Sequence, residues 1–507
     1  MYVAPDSNIK ILRNVPLDPT YDHTIYFGNV GAQYGYFSSL AKYSLTSQSY
    51  QRTQRGWMRV NMNAENLYDC NYVMYQNHAF GNKWFYAFIK AVEYVNNVVS
   101  EIQFEIDVMQ TWHFDYTLDS CFVEREHSAT DVLYENIVEE NLDIGDEYFC
   151  RAHDTFDMNT MNICILANRK TTGSTAVSSY INGVYMPLHI VAGVPVTDIS
   201  SIDTLLDGFN ENEIIAVYQY PSILGDATTT SAYTGAKQVT AQAADFNGYT
   251  PKNKKLYNYP YSGILVSNNS GQTAMYRWED WTAGAGTFAI KGVFISTPAV
   301  MCYPQYYRGI TSAYDDGLVF SNFPQCPWSG DTFKTWWAQN KNSFVTAGIT
   351  SMIATAGGAA ITVATGGTAS VAAAGAAFSN ASMVAKSVAK IADLKNTPAQ
   401  THGQVQTDVL NPATGRLRFD FYQMQIKKEY AKIIDEYFDR YGYATKRNKK
   451  PNRNVRPHWC YTKTVGCTIS GSIPCDDMTK ICNIYNNGIT FWKNGSEVGN
   501  YSLDNTV

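Results

Sequence analysis

Glu124-Arg125-Glu126-His127 sets two carboxylates, a guanidinium and an imidazole in four consecutive positions, the residue types on which general acid–base catalysis draws. The surrounding pattern is that of a β-strand, in which successive side chains point to opposite faces. Glu124 and Glu126 then share one face and His127 takes the other, so the expected role is a salt-bridged strand surface. Ten cysteines, at 70, 121, 150, 164, 302, 326, 460, 467, 475 and 482, are the other reactive set. None forms a CxxC pair, and the spacing of about seven among the last four fits no zinc signature. The chain carries no GxxxxGK[ST], GxGxxG, GxSxG or HExxH. The sequence therefore predicts no catalytic residue, no metal ligand and no cofactor.

The elements that must position these groups are mostly strands. Ile102, Phe104, Ile106 and Val108 interleave with Glu101, Gln103, Glu105 and Asp107, and Met58, Val60 and Met62 interleave with Trp57, Arg59, Asn61 and Asn63. Both read as half-buried antiparallel strands. The run Lys83-Trp84-Phe85-Tyr86-Ala87-Phe88 has too few cations to act as a nucleic-acid stacking platform and is expected in a sheet core or a subunit contact. From residue 131 to 340 the chain is richer in Gly, Pro, Asn, Ser and Thr, with short apolar runs at Ile163–Leu166, Ile214–Val217 and Gly292–Ile295, the pattern of loop-rich β domains. Gly225 to Gln242 is small and polar, and reads as a surface loop or linker. Near the end, Leu417–Ile426 is a predicted strand. Tyr430, Ile433, Ile434, Tyr437, Phe438 and Tyr441 then recur at helical spacing up to Gly442. A strand around Cys460 to Ile469, a helix from Pro474 to Gly488 with Asp476 and Asp477 in its first turn, and a strand at Ile489–Lys493 complete the chain.

With 507 residues the chain exceeds a single core, and 45% hydrophobic and 17% charged residues are those of a folded protein. Tyrosine, at 37, helps raise aromatics to 14%, which favours β-structure. The net charge of −6 is too small to argue for nucleic-acid binding by the whole chain. Its distribution is uneven: Arg125 is the only cation between Glu101 and Glu147, whereas Lys446 to Arg456 contains no acid. These runs are either solvated faces or complementary patches, within or between subunits, or an acidic surface lining a passage. Asp6 interrupts the apolar run that a signal peptide would need, so synthesis in a reducing cytoplasm with free thiols is expected.

From Asn342 to Ala385 there is no Asp, Glu, Lys, Arg or His. The stretch is Ala-, Gly-, Thr- and Ser-rich, with larger apolar residues at Phe344, Val345, Ile349, Met352, Ile353, Ile361, Val363, Val371, Phe378, Met383 and Val384, and with Gly357-Gly358 and Gly366-Gly367 dividing it. Two segments of about 20 residues on either side of Gly366 would each span a bilayer if helical. Ala adds little to membrane partition, and Gly and Thr oppose a stable helix. Both a buried core hairpin and a conditional membrane element fit this composition.

Further residues narrow the reading. Met1–Phe27 (with ILRNVPLDPTYDHTIYF), Gly81–Lys90 (GNKWFYAFIK), Phe104–His127 (FEIDVMQTWHFDYTLDSCFVEREH), Arg440–Pro451 (RYGYATKRNKKP) and Asn487–Trp492 (NGITFW) resemble the tail knob, or distal tail tube, proteins of small short-tailed phages of Gram-positive bacteria. The resemblance covers both ends of the chain and implies a mainly β (α+β) protein. Residues 1–130 and 401–507 would form an antiparallel β-barrel tube domain, 131–340 an inserted β-rich knob, and 341–400 a membrane-active loop or helical hairpin. It further implies a virion protein at the tail tip, made in the host cytoplasm. The expected assembly is a homohexamer joined to the proximal tail tube or lower collar protein, its apolar loops plugging the lumen and later entering the host membrane. Genomic DNA would pass without specific binding, and Glu101, Glu105 and Asp107, on one predicted strand face, are the lumen-facing candidates. A tail-tip adhesin and a cell-wall hydrolase, the latter using Cys302 or Cys326 with a distant His, are the alternatives.

Overall fold

The computed structural model describes residues 6–48, 56–78, 81–158, 161–167, 175–181, 184–195, 198–209, 213–221, 233–268, 272–293, 299–312, 317–321, 325–326 and 418–507. The charge-free stretch, including every residue named in it from Phe344 to Val384, lies outside them. Two compact units divide the chain. The first comprises Met1–Ile144, Gly248–Tyr257 and Lys428–Val507, and the second Gly145–Asn247 and Asn258–Lys427. Both are mainly β, with few helices.

A six-stranded antiparallel sheet opens the first unit, in the order Ala41–Gln48, Ser7–Leu12, Tyr72–Asn77, Trp84–Asn96, Val99–Ile106, Trp57–Val60. The two segments that alternate in sequence are neighbours here, with Met58 opposite Ile102 and Val60 opposite Ser100. Central strands behave differently. Val73 and Ala87 face one apolar cluster with Ile9, Ile11 and Phe104, while Tyr72, Met74, Tyr86 and Phe88 face a second cluster with Leu12 and Phe37. A strand buried on both faces has no polar side to display, so it reads as an unbroken apolar run. That accounts for Tyr86-Ala87-Phe88, which lie in the sheet core, while Trp84 and Phe85 are half-buried.

The second sheet of this unit joins both ends of the chain, in the order His23–Ile25, Ile489–Trp492, Trp459–Val465, Cys121–Glu126, Tyr443–Lys449. Its first pair is parallel and the others antiparallel. The edge strand Tyr443–Lys449 carries a bulge between Ala444 and Arg447, and its exposed Lys446 and Arg447 discourage pairing with a further strand. Helix Lys428–Tyr441 is present as predicted, but of its apolar positions only Ile434 and Phe438 are buried, with Ala431, while Ile433 and Tyr441 are exposed. Gly442, at φ +64°, takes the left-handed conformation that stops it. Helix Cys475–Asn487, entered through Pro474, buries Ile481, Ile484 and Tyr485.

The second unit holds three sheets. One runs Tyr148–Asp157, Arg418–Ile426, Ser262–Ser267, Thr273–Tyr276. The strand predicted at Leu417–Ile426 is present, but its partners place it in this unit rather than with the returning chain end. Periodicity predicts a strand without naming its neighbours. Another sheet runs Thr175–Ile181, Val184–Pro195, Met161–Ala167, Ile214–Pro221, Gln325–Cys326. The third contains Tyr233–Gln238, Thr287–Val293, Ala299–Tyr307 and Ile310–Ser312, with Leu318–Ser321 also on Ala299–Tyr307. Tyr233–Gln238 corrects the loop expected across Gly225–Gln242: Ala236 pairs with Ala289, and ladder hydrogen bonds from a neighbouring strand override the weak local propensity of TGAKQ.

Candidate functional site

The residues singled out for acid–base chemistry lie where the second sheet of the first unit meets the segment Gly248–Tyr257, which belongs to this unit although both its flanks belong to the other. Glu126 and His127 are buried, contrary to a strand surface: the register shifts between Val123 and Arg125, ahead of Glu126, and His127 follows the strand's last residue. Glu126 accepts from Lys449 Nζ, from Asn452 N at 2.8 Å and from Asn452 Nδ2 at 3.1 Å. Glu124 keeps the expected surface role, pairing with Lys463 at 3.0 Å.

His127 is spent on backbone. Its Nδ1 accepts from Tyr461 N at 2.7 Å, so the proton sits on Nε2, which donates to Asp439 O at 3.0 Å. Burial, then the Arg456 and Arg125 charges, pushes its pKa down to about 3. A second proton would abolish the Tyr461 bond. An imidazole with both nitrogens committed to main chain has none left for a substrate, which removes the catalytic reading. It also predicts an acid response. The unfolded imidazole takes a proton below about 6.5 and the folded one does not, so stability present above that pH is lost as pH falls towards 3. Between pH 6.5 and 5 the loss from His127 is about 2 kcal/mol. His127→Gln lowers stability at pH 7 but flattens this dependence, to be read from urea midpoints at both pH values.

Around this pair the structure places three carboxylates that the sequence reading did not single out. Asp435, buried in helix Lys428–Tyr441, accepts from Tyr249 Oη at 2.6 Å, Lys252 N at 2.8 Å, Asn253 N at 3.0 Å and Asn253 Nδ2 at 2.8 Å. Asp131 accepts from Lys254 N at 3.0 Å and Tyr443 Oη at 2.8 Å. Glu140 accepts from Arg125 Nη2, Lys255 Nζ and, at 3.0 Å, Ala444 N. The ten-residue strap is thus pinned to carboxylates from two distant parts of the chain. A signal existed for Asp435: it shares the apolar helix face with Ala431 and Phe438, where a carboxylate needs buried donors. Nothing local distinguishes Glu140 from Glu139.

The acidic and basic runs meet within this unit, through Lys449 on Glu126. Arg453 lies over the rings of Tyr26 and Tyr116, and Arg456 is buried. Of the three lumen-facing candidates, Glu101 pairs with Arg59, and Glu105 pairs with Lys90 and Lys480 at the surface. Asp107 is corrected. The strand ends at Ile106, and Asp107 is 1% exposed, capping helix Val108–Thr111 through Met109 N and Gln110 N and accepting from Tyr72 Oη at 2.8 Å. Its carboxylate serves the helix end, so it cannot face a lumen. Among the described residues no group of three or more His, Cys, Asp or Glu is arranged to hold a metal ion, and no helix is long and apolar enough to cross a membrane.

With both chain ends woven into one unit around structural carboxylates, the arrangement is a scaffold. The family model for the C-terminal domain of the Bacillus phage phi29 tail knob protein gp9 matches residues 226–506, more than half of the chain. The chain belongs to this tail knob family. A model described as the caudoviral major tail protein N-terminus matches residues 5–117 of the tail knob chain. Tail knob protein gp9 of Bacillus phage B103 is 27% identical over 591 aligned residues, covering 99% of this chain and 98% of the relative. Tail knob protein gp9 of Bacillus phage phi29 is 25% identical, with the same coverage. The structure of the bacteriophage C1 tail knob protein, gp12, superposes with a TM-score of 0.60 at 14% identity, covering 99% of each chain, and so shares the fold. This tail knob protein is a structural component of the virion tail and not an enzyme.

Proposed function

We propose that six copies of the chain form a ring at the distal end of the tail, joined to the proximal tail tube or lower collar protein. In this reading the segment at 341–400 plugs the lumen and then enters the host membrane, so that the genome passes without specific binding to the protein. The carrying observation is the charge-free stretch Asn342–Ala385, which falls inside the region matched by the tail knob family. Its composition supports conditional insertion: one copy partitions weakly, whereas six linked copies multiply marginal affinities. Small residues also let helices approach closely in lipid. Glu101 and Glu105 remain the lumen-facing candidates, each paired with cations of the same chain.

Purified protein is expected to release dye from liposomes. A variant lacking Thr346 to Ala385 is expected to form the same six-fold rings in negative stain and to release at least tenfold less dye. Equal leakage from the deletion variant refutes the membrane role, and a monodisperse monomer at micromolar concentration refutes the ring.

A further inference from the structure

Three of the cysteines for which the sequence suggested no role come together in the first unit. Ile469 pairs with Leu118, and Asp119 N donates to Thr468 O at 3.0 Å, so the antiparallel register brings Cys467 beside the start of the strand Cys121–Glu126. From the other side, Cys467 N donates to Asn486 Oδ1 at 3.1 Å. Asn486 lies four residues after Cys482 in helix Cys475–Asn487, and positions four apart share a helix face. These contacts bring Cys467 between Cys482 on the helix and Cys121 at the strand start. All three are free; Cys121 and Cys467 are buried and Cys482 is half-buried.

We propose that Cys467 and Cys482 are a disulfide-forming pair that closes when the folded protein meets a low-molecular-weight disulfide, with Cys121 able to take over Cys467 by exchange. Cys482, the most accessible of the three, attacks the small disulfide, forming a mixed disulfide and releasing one small thiol. The Cys467 thiolate then attacks the Cys482 sulfur and expels the second small thiol. Two protein thiols are oxidised and one small disulfide is reduced to two thiols. A virion protein leaves a reducing cytoplasm for an environment in which such oxidants persist. Burial pushes all three thiols above their ordinary range, Cys467 to about 12, so closure is slow at neutral pH and accelerates as pH rises. The cross-link would tie helix Cys475–Asn487 to the turn before Ile469–Gly471, inside the core that includes Ile481, Ile484 and Tyr485.

The test uses the full-length folded protein incubated with oxidised glutathione, quenched in acid, alkylated under denaturing conditions and mapped by non-reducing peptide mass spectrometry. A peptide joining Cys467 to Cys482 is expected, forming at least fivefold faster at pH 8.5 than at pH 7. In Cys482→Ser, which lacks the entry thiol, Cys467 is expected to stay alkylatable over the time that links it in the wild type. The proposal is overturned if Cys467 stays fully alkylatable once the exposed Cys150 and Cys475 have become glutathionylated. It is equally overturned if glutathione remains on Cys482 beside a free Cys467. Because the wild-type map decides between these outcomes, the test stands even if a variant does not fold.

Discussion

Replacing Glu140 with Gln is expected to lower the stability of the first unit by about 3–5 kcal/mol, a large share of what a domain of this kind possesses. The Lys255 side chain is 2% exposed and that of Arg125 is 11%, and both donate to this one carboxylate. Taking away the anion leaves two cations out of water with no charge to oppose them, which costs more than the pair contributes while intact. Burial and the nearby Arg125 and Lys446 charges already push the Lys255 ammonium below its ordinary range. Without Glu140 the amine is expected to be neutral in the folded state and protonated in the unfolded state up to about pH 10.5. Folding then releases a proton, as it does in the wild type, whose Lys255 is pushed down to about 7, so both proteins gain stability as pH rises and the difference between them narrows only up to about pH 7. Urea unfolding at pH 7 and pH 9.5 checks the size of the loss and the shared rise. The double variant Glu140→Met, Lys255→Met should recover only the Lys255 share of the loss, because Arg125 still lacks the carboxylate it donates to. A single substitution that costs under 1 kcal/mol would show that water reaches the strap.

Gly442→Ala is expected to be as damaging for a different reason. A Cβ there would lie 2.2 Å from Glu126 O, 2.3 Å from Glu126 C and 2.5 Å from His127 N, all main-chain atoms at the end of strand Cys121–Glu126. No rotamer change relieves such a clash. Either the helix end or the strand must move, and the same region carries the Arg125 bond to Gly442 O at 2.6 Å and both His127 bonds. A cost of about 4 kcal/mol or more is expected, read as insoluble expression or a collapsed urea midpoint. Gly499→Ala is the matched control, since its φ of +85° is equally unfavourable for alanine but nothing lies within 4 Å of the added carbon. Its cost is expected near 1 kcal/mol, the conformational part alone. Similar losses at the two positions would mean that the close approach at Gly442 does not constrain the fold.

The legible parts of this chain were those governed by near neighbours in sequence. Helix Lys428–Tyr441 could be read because apolar residues recur at helical spacing and a glycine ends it, although Ile433 proved exposed. Val99–Ile106 and Trp57–Val60 could be read because each buries one face only. The same logic misplaced Asp107, since alternation continues on paper past Ile106 while the chain turns into a short helix that needs a carboxylate at its start. It also missed that Glu126 points inward, because a bulge is a property of two strands together.

By itself the sequence determined the β-rich class, the terminal helices and strands, the absence of known enzyme signatures and the family resemblance, all carried by local periodicity and short motifs. It also determined that one stretch, Asn342–Ala385, differs in chemistry from everything around it. Only the tertiary structure decided which acids are pins and which remain at the surface. Asp435 reaches Asn253 across 182 residues, and Glu140 reaches Ala444 across 304. A carboxylate's role depends on the donors and the water around it, and those are set by the folded neighbours rather than by its place in the chain.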